Sequence, residues 1–341
     1  LKLLNSNGEF LHPEEVQKVI KETRRTQSNK EKPGNLSSYA NALDDHINLI
    51  LSQNFINKNN IASKSIAVAV DGINSVGGVA IPKFLESLGI KKIKKINCNP
   101  DGNFNHNPEP LPENITDLCS EVKRGKYQLG IVVDPDADRL VLVDERGEPF
   151  GEEYTLVAAA EYLLSKNHGA STCSNLSSTL ALKNITEKYG GKYFSSAVGE
   201  INVVQVMKEK KCLIGGEGNG GVIYPMTHYG RDSLIGIGLI ISLLVERNIS
   251  LSELKKELPE YNIFKTKLNY KGEISSIISD VKKLYDESLI DTTDGVKINF
   301  SNSRIYGEKN IDTVDVILNL NHFESQFKTV LRLNLNNKKL S

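Results

Sequence analysis

Cysteine is scarce in this sequence, with four residues among 341 and no two of them close enough to form a Cys-x-x-Cys pair. This spacing argues against a cysteine-based zinc site and against a disulfide scaffold. It is typical of proteins from reducing compartments, so we expect a cytoplasmic location. The four residues are Cys98, Cys119, Cys173 and Cys212.

An excess of charge of either sign is also absent, because Lys plus Arg and Asp plus Glu number 42 each. We therefore expect neither nucleic acid nor a membrane as a partner. The longest apolar run, residues 234–245, is shorter than the roughly 20 residues that cross a bilayer, and we predict that it forms a buried helix. No signal peptide opens the chain, which begins at Leu1 rather than Met, and we expect a truncated N-terminus.

The most informative stretch is Asp134-Pro135-Asp136-Ala137-Asp138-Arg139, called here the acidic loop. Apolar runs with the length and β-branched content of buried strands precede and follow it. Three carboxylates this close repel one another, and a hard divalent cation such as Mg²⁺ or Ca²⁺ relieves that repulsion. The structural alternative is a polar β-turn. An EF-hand is disfavoured because Arg139 stands where its loop needs glycine.

The rest of the chain alternates between strand and helix patterns. Residues 44–150 and 151–260 each read as an α/β unit, and short strand–helix–strand connections imply parallel strands. Ligands of such sheets gather at the carboxyl ends of the strands, which is where the acidic loop falls. Residues 26–38 look like a polar linker. Residues 261–341 look α+β, with a helix predicted over 274–285 and strands on either side.

A glycine-rich loop, residues 215–221, has five glycines in seven positions. It matches neither the dinucleotide-binding nor the P-loop pattern. Glycine lets the backbone approach a ligand closely, and Glu217 and Asn219 carry groups suited to sugar hydroxyls. The alternative is an ordinary hairpin turn.

Two further clusters have functional and structural interpretations. Asp232 is expected to cap the helix that follows it, whereas Arg231 suits either a phosphate or a carboxylate. His228 has the chemistry of a general acid or base, but a single histidine without a visible partner is usually structural. Ser177 and Ser178 are not in a nucleophile elbow, and we predict that they cap a helix.

These features together resemble the α-D-phosphohexomutases, the superfamily of phosphoglucomutase, phosphomannomutase and phosphoglucosamine mutase. The acidic loop resembles their metal-binding loop, and residues 216–220 are similar to their sugar-binding Gly-Glu-x-Ser-Gly loop, with Asn219 in place of serine. Residues 99–104 resemble a stretch of the second domain, and Val198-Gly199-Glu200 resembles part of the substrate region of the third.

The resemblance implies consecutive α/β domains with mixed sheets around a cleft, and a partial α+β domain at the end. It assigns residues 1–43 to the remnant of domain I, 44–150 to domain II with the metal loop, 151–260 to domain III with the sugar-binding loop and 261–341 to a partial or diverged domain IV.

The resemblance also implies a site and a reaction. Mg²⁺ would lie on Asp134, Asp136 and Asp138, and Arg139 would stabilise charge on the transferring phosphoryl group. Substrate binding, by the same resemblance, falls to Glu217, Asn219 and Gly199. The reaction implied is the interconversion of hexose or hexosamine 1- and 6-phosphates, through a phosphoserine and a bisphosphate intermediate. The specificity resembles that of phosphoglucosamine mutase or phosphomannomutase.

Two family motifs are missing from these 341 residues. The Ser-His-Asn-Pro loop that carries the phosphoserine is absent, and residues 303–314 lack the C-terminal phosphate-binding motif. We therefore expect this chain to bind Mg²⁺ without turning over substrate. A non-catalytic sugar-phosphate-binding protein is the alternative, followed by a metal-dependent sugar phosphatase.

Overall fold

The computed structural model describes residues 2–23, 35, 37–269, 283, 286–287, 290–294, 296–300, 303–309 and 313–320. The predicted linker at 26–38 and the predicted helix at 274–285 lie largely outside these residues. The chain begins with a short antiparallel bridge between Leu4 and Phe10. Three helices follow: α1 (Pro13–Thr23), α2 (Ala42–Leu51) and α3 (Lys58–Ser63).

The first sheet is built around the strand that leads into the acidic loop. Its strands are β1 (Ala67–Asp71), β2 (Lys92–Ile96), β3 (Leu129–Val133) and β4 (Leu140–Val143), in the order β2-β1-β3-β4. The first three are parallel, and β4 runs antiparallel to β3. Helices α4 (Gly77–Ser87) and α5 (Thr116–Gly125) provide the crossovers. The acidic loop is therefore the turn between β3 and β4.

Alternation along these strands divides their side chains between two cores. Ile131 and Val133 of β3 face one core and Val132 faces the other, because successive residues of a strand point to opposite sides. Both faces are buried, which explains why the strand reads as a continuous apolar run.

The second sheet repeats this arrangement with strands β5 (Thr172–Asn175), β6 (Tyr193–Ser196), β7 (Ile214–Glu217) and β8 (Gly221–Ile223). Their order is β6-β5-β7-β8, and only β8 is antiparallel to its neighbour. Helices α6 (Glu152–Lys166), α7 (Ala181–Lys188) and α8 (Glu200–Lys210) surround it. Both sheets are mixed, as predicted.

Helix α9 (Ser233–Arg247) confirms the buried helix expected at 234–245, and α10 (Leu251–Glu257) follows it. A side chain at Gly236 would touch Leu140 of the first sheet, and one at Gly238 would touch Phe84 of α4, so α9 packs closely against the first unit. Within the described part of the chain no single helix has the length and hydropathy to cross a membrane; α9 and α10 pass that test only as a pair bent by 88°, on length and composition alone.

The last described strands form an antiparallel sheet. They are β9 (Asn262–Asn269), β10 (Ile290–Asp291), β11 (Val296–Phe300), β12 (Ser303–Lys309) and β13 (Thr313–Leu320), in the order β10-β11-β12-β13-β9. Two contacts attach this sheet to the second unit. Lys297 donates from Nζ to the Leu176 carbonyl at 2.7 Å, and the Val198 amide donates to Asp294 Oδ2 at 2.8 Å.

Candidate functional site

The acidic loop folds around the side chain of its first aspartate. Asp134 Oδ1 accepts hydrogen bonds from the backbone amides of Asp138 at 3.1 Å and Arg139 at 3.0 Å. Ala137 makes the turn with a left-handed φ of 55°. The loop is thus a tight turn, as the structural alternative held, but one whose carboxylates converge.

The three predicted metal ligands lie together. One carboxylate oxygen from each of Asp134, Asp136 and Asp138 lies within 4.8 Å of the others. Asp138 Oδ1 is buried and has no hydrogen-bond partner among the residues that the structure describes. Burial, followed by the charge of Asp138, raises the pKa of Asp134 to about 7. A buried oxygen without a donor and a carboxyl that resists ionisation both indicate missing positive charge, and the all-oxygen ligand set fits Mg²⁺.

Lys2 supplies part of that positive charge. Its ammonium group donates to Asp136, and to Asp138 Oδ2 at 2.8 Å. Burial raises the pKa of Asp136, but the hydrogen bond from Lys2 outweighs it and the net pKa is lowered. Sequence reasoning missed Lys2, because a lysine between two leucines carries no signal of a partner 134 residues away.

Arg139 is turned towards the rim of the acidic loop. Its Nη1 donates to Glu109 Oε2 at 2.7 Å, and its Nε lies 3.6 Å from Asp134 Oδ2. The Nε atom is buried and, within the described chain, has no hydrogen-bond partner. The guanidinium therefore keeps one donor free beside the predicted metal ligands.

The glycine-rich loop is a β-hairpin in which Glu217 of β7 pairs with Gly221 of β8. Its glycines are required by close contacts. A Cβ atom at Gly220 would lie 2.5 Å from the Leu140 carbonyl oxygen, and φ there is 93°. The Leu140 amide donates to the Gly220 carbonyl at 3.0 Å, so the hairpin is bonded directly to the end of the acidic loop.

Glu217 gathers the predicted substrate-binding residues. Its Oε1 accepts from the Gly199 amide at 3.3 Å and from Asn175 Nδ2 at 2.9 Å. Its Oε2 accepts from Asn219 Nδ2 at 3.4 Å. Glu217, Asn219 and Gly199 are therefore brought together, but the Glu217 side chain is only 7% exposed, and protein donors already bond both of its oxygens.

Arg231 connects the two loops. Its Nη2 donates to Asp138 Oδ2 at 2.7 Å and its Nη1 to Glu217 Oε2 at 2.8 Å. Its Nε donates to Glu200 Oε2 at 2.8 Å. Burial lowers the pKa of Arg231, but the three carboxylates outweigh that effect and the net pKa is raised. Of the two roles that the sequence left open, the structure shows the carboxylate pairing.

Asp232 caps α9, as predicted, by accepting from the amides of Leu234 and Ile235 at 2.8 and 3.4 Å. Its other oxygen lies near two imidazole rings, those of His228 and His46. His46 was not predicted, because it is on α2, 186 residues before Asp232.

The predicted cap at Ser177 and Ser178 is wrong. Helix α7 begins at Ala181, and its N-cap residue, Leu180, makes no side-chain cap. The Ser178 hydroxyl instead donates to Asn175 Oδ1 at 2.6 Å and accepts from the Gly218 amide at 2.9 Å. Ser178 thus supports the glycine-rich hairpin from below, a role that needs a contact across 40 residues.

Comparisons with known proteins agree with this geometry. The model of the phosphoglucomutase/phosphomannomutase α/β/α domain II matches residues 44–147, and that of domain III matches residues 151–261. A probable phosphoglucosamine mutase of Methanococcoides burtonii is 30% identical over 308 residues, covering 89% of this chain and 68% of that protein. A phosphoglucomutase/phosphomannomutase of Thermococcus kodakarensis is 36% identical over 236 residues, covering 68% of this chain.

The chain spans 52% of the length of the Thermococcus protein, about half of it. Among solved structures, a phosphoglucomutase/phosphomannomutase family protein from Burkholderia thailandensis aligns with a TM-score of 0.79 at 21% identity. That alignment covers 97% of this chain and 72% of the Burkholderia chain, and it supports the fold.

Proposed function

Because this chain belongs to the phosphoglucomutase/phosphomannomutase family, we propose that it forms the metal-binding and sugar-binding part of a phosphohexomutase. The reaction is the interconversion of hexose or hexosamine 1- and 6-phosphates through a phosphoserine and a bisphosphate. Relatives named phosphoglucosamine mutase and phosphomannomutase support these two specificities.

One observation carries the proposal: the acidic loop and the glycine-rich hairpin are parts of a single cluster. Arg231 bonds Asp138 of one and Glu217 of the other, and the Leu140 amide bonds the Gly220 carbonyl between them. A phosphate at the acidic loop and a sugar at the hairpin would therefore belong to one substrate molecule. An isolated acidic turn would not need this connection.

Three aspartates and an arginine would act on the phosphate. Asp134, Asp136 and Asp138 would hold Mg²⁺, which when bound stabilises negative charge on a phosphoryl group. The Asp138 oxygen that lacks a donor fits a metal ligand. Arg139, with its buried free Nε, would donate to a phosphoryl oxygen as charge builds up there.

The hairpin would act on the sugar. Asn219, which is half-buried, can both donate to and accept from a hydroxyl group. Glu217 already accepts from four donors, so its part is to fix the positions of Asn219, Gly199 and Arg231 around the sugar, and to accept from a hydroxyl when one of these donors is displaced.

The first test is Mg²⁺ binding by calorimetry with the purified chain. Replacing Asp136→Asn removes a ligand and should weaken binding by about tenfold or more. Asp117→Asn, at an exposed position of α5, is the matched control and should leave the affinity unchanged. Equal affinity in the wild type and Asp136→Asn would contradict the metal assignment.

The second test separates the mutase from a non-catalytic binder. Glucose 1,6-bisphosphate should bind in the presence of Mg²⁺, and Asn219→Ala should weaken that binding. We expect no turnover of glucose, mannose or glucosamine 1-phosphate by this chain alone, because its sequence has no Ser-His-Asn-Pro motif. Turnover would show that another residue carries the phosphoryl group, and failure to bind the bisphosphate would overturn the sugar site.

A further inference from the structure

A second group of potential metal ligands lies outside the acidic loop. It consists of His46 on α2, His228 in the connection between β8 and α9, and Asp232 at the start of α9. One ligand atom from each of the three lies within 4.8 Å of the others. No part of the proposed phosphoryl transfer uses these two histidines.

Asp232 is fixed so that one oxygen serves the helix and the other serves the histidines. Its Oδ1 accepts from the amides at the start of α9. Its Oδ2 lies 2.8 Å from His46 Nε2 and 3.3 Å from His228 Nε2. Both rings are thus directed at one carboxylate oxygen that the backbone holds in place.

These distances fit a tetrahedral metal ion. Ligand atoms bound at about 2.0–2.1 Å from zinc are separated by about 3.3 Å from one another. The separation of His228 Nε2 from Asp232 Oδ2 already has this value, and a displacement of the His46 ring by about half an ångström would bring its nitrogen to it.

The chain also leaves space and access at this cluster. A side chain at Gly230 would lie 2.8 Å from His228 Nδ1, so the glycine makes room for the ring. The side chains of His46 and His228 are 29% and 39% exposed, whereas Asp232 is 7% exposed. A metal and a water ligand can therefore reach the ring nitrogens from solvent while the carboxylate stays anchored.

We propose that His46, His228 and Asp232 bind a divalent transition-metal ion of the zinc class, with water in the open coordination position. Two imidazole nitrogens and one carboxylate suit Zn²⁺ or Co²⁺, whereas the all-oxygen acidic loop suits Mg²⁺. The ion would join α2 to the start of α9. Asp232 adjoins Arg231, so the same ion would hold in place the backbone from which Arg231 reaches both loops.

Co²⁺ tests the proposal without any measurement of activity. Titration of the purified chain with Co²⁺ in the presence of excess Mg²⁺ should produce the visible absorption of a low-symmetry, nitrogen-coordinated site. His46→Gln and His228→Gln should each remove most of it, and glutamine keeps a donor for Asp232 so that the fold is preserved. His168→Gln, an exposed histidine on another loop, and Asp136→Asn should leave the absorption intact.

The alternative is a histidine–aspartate ion pair that binds no metal. A cobalt signal that is absent, or that survives both His46→Gln and His228→Gln, would overturn the proposal. Loss of the signal in Asp136→Asn alone would assign the ion to the acidic loop instead. Circular dichroism of each variant distinguishes a lost ligand from a lost fold. Because Mg²⁺ and sugar binding are not measured, failure here leaves the proposed mutase function to its own tests.

Discussion

Arg231→Met removes the charge that connects the two loops but keeps most of the side-chain volume. Three carboxylates then lose a charged donor inside the protein, since the side chains of Asp138, Glu200 and Glu217 are 12%, 9% and 7% exposed. Breaking one buried ion pair by deleting a partner costs about 3–5 kcal/mol.

The three losses do not add up to three times that value. Glu217 keeps its hydrogen bonds from Asn175 and Gly199, and Asp138 keeps the one from Lys2. Glu200 keeps only the backbone amide of residue 231 among its printed donors. We therefore expect a total loss of about 3–5 kcal/mol in the free energy of unfolding.

Urea unfolding, followed by circular dichroism at pH 8 without Mg²⁺, measures this loss. With a denaturant slope of about 3 kcal/mol per molar, the midpoint should fall by about 1–2 M. Arg124→Met is the matched control, because that arginine pairs with Glu121 on the helix surface and is 80% exposed. The control should change stability by less than about 0.5 kcal/mol.

The pH dependence of the Arg231→Met effect has a definite sign. Burial raises the pKa of Glu200 even beside Arg231, and removing the arginine raises it further. A carboxyl whose folded-state pKa is raised contributes stability at low pH that is lost as the pH rises through that pKa. The deficit should therefore shrink between pH 8 and pH 5. A loss equal to that of Arg124→Met, or a deficit that grows on acidification, would refute the reasoning.

Three further outcomes follow from the same cluster. Asp134, with a pKa of about 7, contributes stability that is fully present below its unfolded value near 3.8 and is lost as the pH rises through 7. Without metal, urea unfolding should therefore show a fall of about 1–3 kcal/mol from pH 5 to pH 8, and Asp134→Asn should abolish it. Gly220→Ala, which would contact the Leu140 carbonyl, should cost about 1–3 kcal/mol more than Gly102→Ala, where φ is also positive but no atom lies within 4 Å. Lys2→Met should tighten Mg²⁺ binding in calorimetry by up to about fivefold, because a half-exposed ammonium competes for the same carboxylates, and unchanged affinity would show that it does not.

Local patterns were enough to predict the parts of the site that depend on neighbouring residues. The acidic loop lies between two strands because the apolar runs around it are buried on both faces. Asp232 caps α9 because an aspartate before an apolar helix has its amide partners two and three residues ahead. Such contacts close within a few residues, so their signal is present in the sequence.

The connections between these parts could not be predicted, because their partners are far apart along the chain. Arg231 reaches carboxylates 14, 31 and 93 residues away. Ser178 shows how a local rule fails under such conditions. A serine shortly before a helix looks like a cap, but the Gly218 amide accepts no other geometry at the hairpin and takes the hydroxyl instead.

The balance of charge explains why these distant residues meet where they do. Five carboxylates surround the junction of the two loops, against three cationic side chains. The carboxylates belong to Asp134, Asp136, Asp138, Glu200 and Glu217, and the cations to Lys2, Arg139 and Arg231. The excess is two negative charges, which one divalent cation neutralises. Without it, the cluster relieves the excess through the most buried of the loop's aspartates, and the pKa of Asp134 rises to about 7. Protonation of Asp134 and binding of a divalent cation are thus alternative responses to one charge imbalance, so that near neutral pH the acidic loop is poised between them.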